Sequence, residues 1–224
     1  MHDVSLLVKS ILNKGNEAEH RGDFIVARQH FQSALDEARL INDKHGEAAA
    51  LVSLAEFTGQ IEGNLSKAYE LLDQSLSICQ QIGFDRGIAS TMCALGSTTL
   101  HMGKFDESLQ WMNKALVLFR EMKDQTGEAT VLHQMGLIQK KRIDHGSAEI
   151  CWRQSLSLFE ALGDKFSMGQ VLLSLGNLVA DYHKDLKQGR QLFTKALLLF
   201  DELGLPLEAK KARHNLAIID RLES

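Results

Sequence analysis

Proline is nearly missing from this sequence: Pro206 is the only one in 224 residues. Proline breaks helix interiors, so its scarcity leaves room for long uninterrupted helices. Cysteine is also sparse. Cys79, Cys93 and Cys151 are an odd number without a CxxC pair, which argues against a disulfide framework and for a reducing, cytoplasmic setting. No apolar run approaches the roughly 18 residues a membrane span requires, and the first residues lack the basic-then-apolar pattern of a secretory leader. Cleanly alternating runs are lacking too, so strands are not expected. Charge of one sign is not in excess: 25 Lys and Arg face 29 Asp and Glu, a net of −4. That balance excludes a broad basic surface, so neither nucleic acid nor a membrane surface is an expected partner. Residues 1–104 carry 9 basic and 13 acidic side chains, whereas residues 105–224 carry 16 of each, so the N-terminal half is the more acidic.

What the sequence does have is an internal repeat. Ala34-Leu35, Ser75-Leu76, Ala115-Leu116, Ser155-Leu156 and Ala196-Leu197 recur at steps of 41, 40, 40 and 41. Large apolar residues (Phe31, Leu72, Met112, Trp152, Phe193) keep the same steps, as do small ones (Ala27, Ala68, Ser108, Ala148, Gly189). A further small column runs Gly15, Ala55, Gly96, Gly136, Gly176 and Ala217. Several columns holding one register along the chain mark a repeat array, in which each unit buries its apolar face against the next.

Within one repeat the pattern reads as two helices. From Phe105 onward, Phe105, Leu109, Met112, Leu116 and Phe119 step at four and three residues, an amphipathic helix. Gly22-Asp23, Gly63-Asn64 and Gly103-Lys104 sit at the turns before these second helices. Asn42, Gly83, Lys123, Gly163 and Gly204 form the column between repeats, where glycine and asparagine suit a left-handed helix end and Lys123 does not. Asp43, Asp124 and Asp164 follow as candidate caps of the next helix. The expected domain is a single one over 1–224, with repeats at 3–42, 43–83, 84–123, 124–163 and 164–204 and a capping helix at 208–224. Ala209, Ala212, Leu216 and Ile219 give that last helix one apolar face, expected to cover Leu175 and Leu198.

These residues resemble the tetratricopeptide repeat. Leu95-Gly96, Ser108, Met112 and Ala115 match its small and large positions, and Met135-Gly136, Ala148, Trp152, Ser155 and Leu175-Gly176, Gly189, Phe193, Ala196 repeat the match. The period of 40 or 41 exceeds the family's usual length of about 34. The customary proline after the second helix is absent, and Arg120 stands there in the third repeat. This long form is similar to the repeats of Leu-Gly-Asn-type adaptors, kinesin light chains and bacterial helical sensor regions. The resemblance implies an all-α, right-handed superhelical solenoid of antiparallel helix pairs. It also implies a protein-interaction scaffold that binds a peptide or protein segment in its concave groove, or a sensor whose superhelix responds to a ligand and controls a partner.

The chemistry-bearing residues point the same way. The nine histidines show no HExxH spacing, the cysteines lack a neighbouring base, and the glycines follow the repeat rather than a phosphate loop. No catalytic residue, cofactor or metal ligand is expected, so the chain reads as a non-enzyme. By the resemblance, the groove is lined by first helices. Its expected contacts are Asn16, Ser97, Thr130, His133, Lys140, Gln170, Asn177, Lys211 and His214, with Lys9, Leu12, Glu56 and Ser90 beside them. The lining grows more basic toward the C-terminus, which suits a protein or peptide with acidic residues. Family members that hold the C-terminal peptides of Hsp70 and Hsp90 chaperones use a lysine and asparagine clamp. Its lysine column here holds Val52, Cys93, His133, Leu173 and His214, and its asparagine column Glu56, Ser97, Leu137, Asn177 and Ile218. Only Asn177, with Lys211 and Asn215 after it, fits, so that ligand is not expected.

Overall fold

The computed structural model describes residues 4–223. Among them the elements are eleven α-helices: α1 (Leu6–His20), α2 (Phe24–Leu40), α3 (Lys44–Gln60), α4 (Leu65–Gln81), α5 (Asp85–His101), α6 (Phe105–Glu121), α7 (Gln125–Lys141), α8 (His145–Leu162), α9 (Lys165–Asp181), α10 (Leu186–Glu202) and α11 (Pro206–Glu223). The described residues contain no strand. The all-α helix-pair architecture read from the repeat is the one observed.

The turns explain why the pattern is so regular. Asn42, Gly83, Lys123, Gly163 and Gly204 all have φ between 56° and 69°. Lys123 therefore adopts the left-handed conformation its column demands, although a side chain there costs about 1–2 kcal/mol. The turn before each second helix repeats the device with Gly22, Gly63 and Gly103, then with Ile143 and Lys184, at φ of 65° and 58°. The aspartates act as caps: Asp43, Asp124 and Asp164 accept from the amides of Gly46, Gly127 and Ser167 at 2.8–3.0 Å. Asn64, Asp144 and Asp185 cap second helices in the same way, at 3.0, 3.0 and 2.9 Å.

Packing follows the two interlocking columns. A Cβ placed on Gly15, Gly96, Gly136 or Gly176 would meet Phe31, Met112, Trp152 or Phe193 at 2.5, 2.8, 2.3 or 2.5 Å. Each of these glycines thus lets the large residue of its own repeat lie flat on the first helix. Trp152 is fully buried there, and its Nε1 donates to the His133 carbonyl at 3.1 Å. The serines of the small columns are buried but bonded across the helix pair: Ser75 donates to Ala48 O at 3.0 Å, Ser108 to Gly96 O at 2.6 Å and Ser155 to Ala129 O at 2.8 Å. Satisfied hydroxyls of this kind avoid the penalty of an unpaired buried polar group.

The chain divides into two compact units, one up to Phe119 and one from Arg120. In the first, Phe31, Leu51, Phe57, Leu72 and Leu95 centre the core. In the second, Trp152, Phe159, Val171 and Leu175 form one cluster, and Leu172, Phe193, Phe200, Ala209, Ala212 and Ile219 another. α11 starts two residues earlier than expected, with Pro206 in its first turn, where the missing amide costs nothing and the fixed φ suits a helix. Its apolar face covers Phe200 and its neighbours. Leu198, expected beneath it, is 65% exposed, and Leu175 belongs to the other cluster.

Candidate functional site

In the first unit, α3 packs beside both α1 and α5, so the first helices of successive repeats share one face. Between α3 and α5 lies a crevice of about 420 Å³ lined by Ala55, Glu56, Gly59, Ser97, Thr98 and His101, among others. The small residues Ala55, Gly59 and Ala94 leave the space, and Glu56 stands at its rim. Glu56 is exposed by surface area, yet protein surrounds it on most sides because the crevice is concave. Burial, reinforced by the Glu19 carboxylate, holds its pKa above the usual carboxylate value. Among the described residues no hydrogen bond or ion pair reaches it. Of the residues expected to line a groove here, Asn16 and Lys9 are exposed on α1 and Ser97 is half-buried on α5. Leu12 is instead part of the core at 9% exposure. Ser90 lines a separate apolar hollow of about 250 Å³ with Val4, Val52, Cys79 and Phe84. Cys93 is half-buried, and burial pushes its thiol up to about 12, the wrong direction for a nucleophile.

In the second unit the first-helix face is made by α7, α9 and α11, and its polar groups bond to one another. Ser174 Oγ donates to the Gln170 carbonyl at 3.2 Å, leaving its lone pairs for His133 Nε2 at the same distance. That arrangement requires a proton on Nε2, and burial lowers the His133 pKa to about 4, which favours the neutral ring. Asn215 Nδ2 donates to Asn177 Oδ1 at 3.0 Å, which leaves the Asn177 amide hydrogens available. Lys211 is drawn to Glu208 at 2.8 Å. Thr130 donates back to the Thr126 carbonyl at 2.8 Å. Lys140 and Gln170 are half-buried, and His214 is exposed. No ion pair reaches Lys140 among the described residues.

The expected contacts therefore fall into two groups, Asn16 and Ser97 in the first unit and the other seven in the second. The structure joins His133 with α9 and Asn177 with α11. Reading by columns missed Ser174, one residue beyond the His133 column, and the Gln60, Thr98 and His101 side of the crevice. Gly59 was the available signal for the crevice: it leaves a gap where its column elsewhere places Leu100 and Lys140. Among the described residues no group of three or more His, Cys, Asp or Glu could hold a metal ion, and no helix is long and apolar enough to cross a membrane.

Two interlocking columns, left-handed inter-repeat turns and paired helices define a helical-repeat scaffold. The tetratricopeptide repeat profile matches residues 47–121 and 87–161, together just over half of the chain, and the chain belongs to that family. It is 25% identical over 218 residues to the regulatory protein AfsR of Streptomyces griseus, a match covering 94% of this chain and 21% of that protein. The chain thus spans about a fifth of that relative's length. Among solved structures it is similar in fold to a signal transduction ATPase with numerous domains, carrying a tetratricopeptide repeat sensor, from Pyrococcus horikoshii. That likeness has a TM-score of 0.77 at 19% identity and covers 95% of this chain and 32% of that one. It also resembles a Rap protein complexed with competence and sporulation factor, with a TM-score of 0.70 at 14% identity, covering 99% and 77%.

Proposed function

We propose that this chain is a non-catalytic interaction scaffold that holds a peptide or protein segment on the faces made by its first helices. The observation that carries the reading is the second unit's face. On that face Lys140 is left without a counter-ion, His214 is exposed and the amide hydrogens of Asn177 are free. Amide and ammonium donors together suit the carbonyls and carboxylates of an extended acidic segment. Membership of the tetratricopeptide repeat family supports the scaffold role, and the Rap neighbour was solved with its factor bound. The test is a synthetic array of short peptides differing only in Glu or Gln. Glu peptides should bind the intact chain about tenfold more tightly, and Lys140→Glu should erase the difference. Equal binding of the Glu and Gln series would refute an acidic ligand.

A second reading is favoured by the match to a regulatory protein: a sensor module that changes conformation on binding and so controls a partner. Hydrogen exchange separates the two. A holding scaffold gains protection only around the bound segment, whereas a sensor changes protection in repeats that the ligand does not touch.

A further inference from the structure

We propose that the crevice between α3 and α5 receives the cationic side chain, arginine or lysine, of a bound protein segment, with Glu56 as its counter-ion. This rests on the scaffold reading above and adds the chemistry of the occupant in the first unit.

Gln60 and Ser97 keep donors in the crevice, but its other polar groups present acceptors. Thr98 spends its hydroxyl proton on the Ala94 carbonyl at 2.9 Å. His101 Nδ1 donates to the Ser97 carbonyl at 2.8 Å, and in that tautomer Nε2 is an acceptor. Glu56 contributes a carboxylate that no described cation meets. Guanidinium and ammonium groups are the protein side chains that carry donors and no acceptor, so they complement this set. The space of about 420 Å³ is open at the rim, and Ala55 and Gly59 keep its wall clear of side chains. Charge complementarity extends beyond the crevice. Glu19 on α1 adds a second negative charge, and residues 1–119 hold 15 Asp and Glu against 10 Lys and Arg. A cation seated beside Glu56 would relieve the repulsion and crowding that raise its pKa.

The experiment titrates the intact chain with Nα-acetyl-arginine methylamide and the lysine equivalent, followed by backbone amide resonances. The control probe is the citrulline derivative, which keeps the shape and loses the charge. Saturable shifts should centre on Glu56, Gly59, Ser97 and His101, and the citrulline derivative should bind at least about tenfold more weakly. Glu56→Gln should cause a similar loss without lowering the melting temperature, and Glu19→Gln a smaller one. Absence of saturable shifts at the crevice, equal binding of citrulline, or indifference to both substitutions would overturn the proposal. If acidic peptides bind through Lys140 while the crevice stays silent, only this inference falls. If arginine seats in the crevice and no peptide is held, the scaffold reading falls, and of this inference only the crevice's choice of a cation stands.

Discussion

The two units are built from one repeat yet treat charge in opposite ways. Residues 1–119 carry 15 acidic and 10 basic side chains, a net of −5; residues 120–224 carry 14 and 15, a net of +1. The difference is sharpest at matching repeat positions. Glu56 and Gly59 in the second repeat correspond to Leu137 and Lys140 in the fourth, and Ala94 corresponds to Ser174. In the first unit this combination leaves a crevice with an unpaired carboxylate. In the second, Lys140 and Ser174 put longer, polar side chains in the register of Gly59 and Ala94, and His133 meets Ser174 across the helices. Core columns define the scaffold, and a few first-helix positions off those columns decide what each face can hold.

If the units are built separately, damage to one should spare the other. The largest effect should come from ending the chain at Leu205. Losing α11 uncovers Phe200 and the surface that buries Ala209, Ala212 and Ile219. That removes about 3–6 kcal/mol of apolar burial from the second unit before relaxation. Hydrogen exchange should show faster exchange in α9 and α10 and unchanged protection in α1–α5. Equal loss throughout would mean that the chain unfolds as one cooperative body.

A single methyl group in the second unit's core should have a smaller effect. Gly136→Ala puts a Cβ 2.3 Å from Trp152 Nε1, in a pocket where the indole is fully buried and bonded to the His133 carbonyl. Alanine favours a helix by about 1 kcal/mol over glycine, but overpacking costs about 1–3 kcal/mol, so a net loss of up to about 2 kcal/mol is expected in urea unfolding. A stabilised variant would show that the two columns do not interlock as described.

These core features were legible because a repeat writes each contact several times over. The Gly136–Trp152 contact appears in sequence as two columns, and Lys123 was the one misfit in its own. The structure resolves that misfit: the turn geometry comes from the repeat's packing, and lysine follows it. The first-helix faces were less legible. Leu12 was read as lining and is core, whereas Gly59 makes the crevice by having no side chain. Pairs such as His133–Ser174 join columns offset by one residue, and a column-by-column reading does not connect those.

His133 gives an acid-side test of the second unit. Its folded pKa lies near 4, against an ordinary value of about 6.5. The unfolded chain therefore takes up a proton first as pH falls, and the stability His133 supports is present above about 6.5 and lost on the way to about 4. His133→Gln should reduce that loss by about 1–3 kcal/mol in melts across the window. Unchanged pH dependence would mean the ring is solvated and free to protonate.

The smallest expected effect tests the contrast within the first unit, between two glutamates on the same helix. Burial alone would raise the pKa of Glu47, but hydrogen bonds from Lys44 and Arg39 at 2.8 and 2.9 Å outweigh it and hold the value down. Glu56 has the burial and the Glu19 repulsion without such partners, so its value rises. The signs at neutral pH are therefore opposite. A depressed folded pKa means that ionised Glu47 stabilises the fold, so Glu47→Gln should melt lower at pH 7. A raised folded pKa means that ionised Glu56 destabilises the free protein. Glu56→Gln should thus melt slightly higher at pH 7, and its advantage should fade as pH falls below the ordinary carboxylate value, where both states are protonated. Saturating the crevice with blocked arginine should reverse the order at pH 7, because only the wild-type carboxylate gains the cation. A wild-type protein that remains the less stable of the two with arginine present would show that the Glu56 charge is not what the crevice uses.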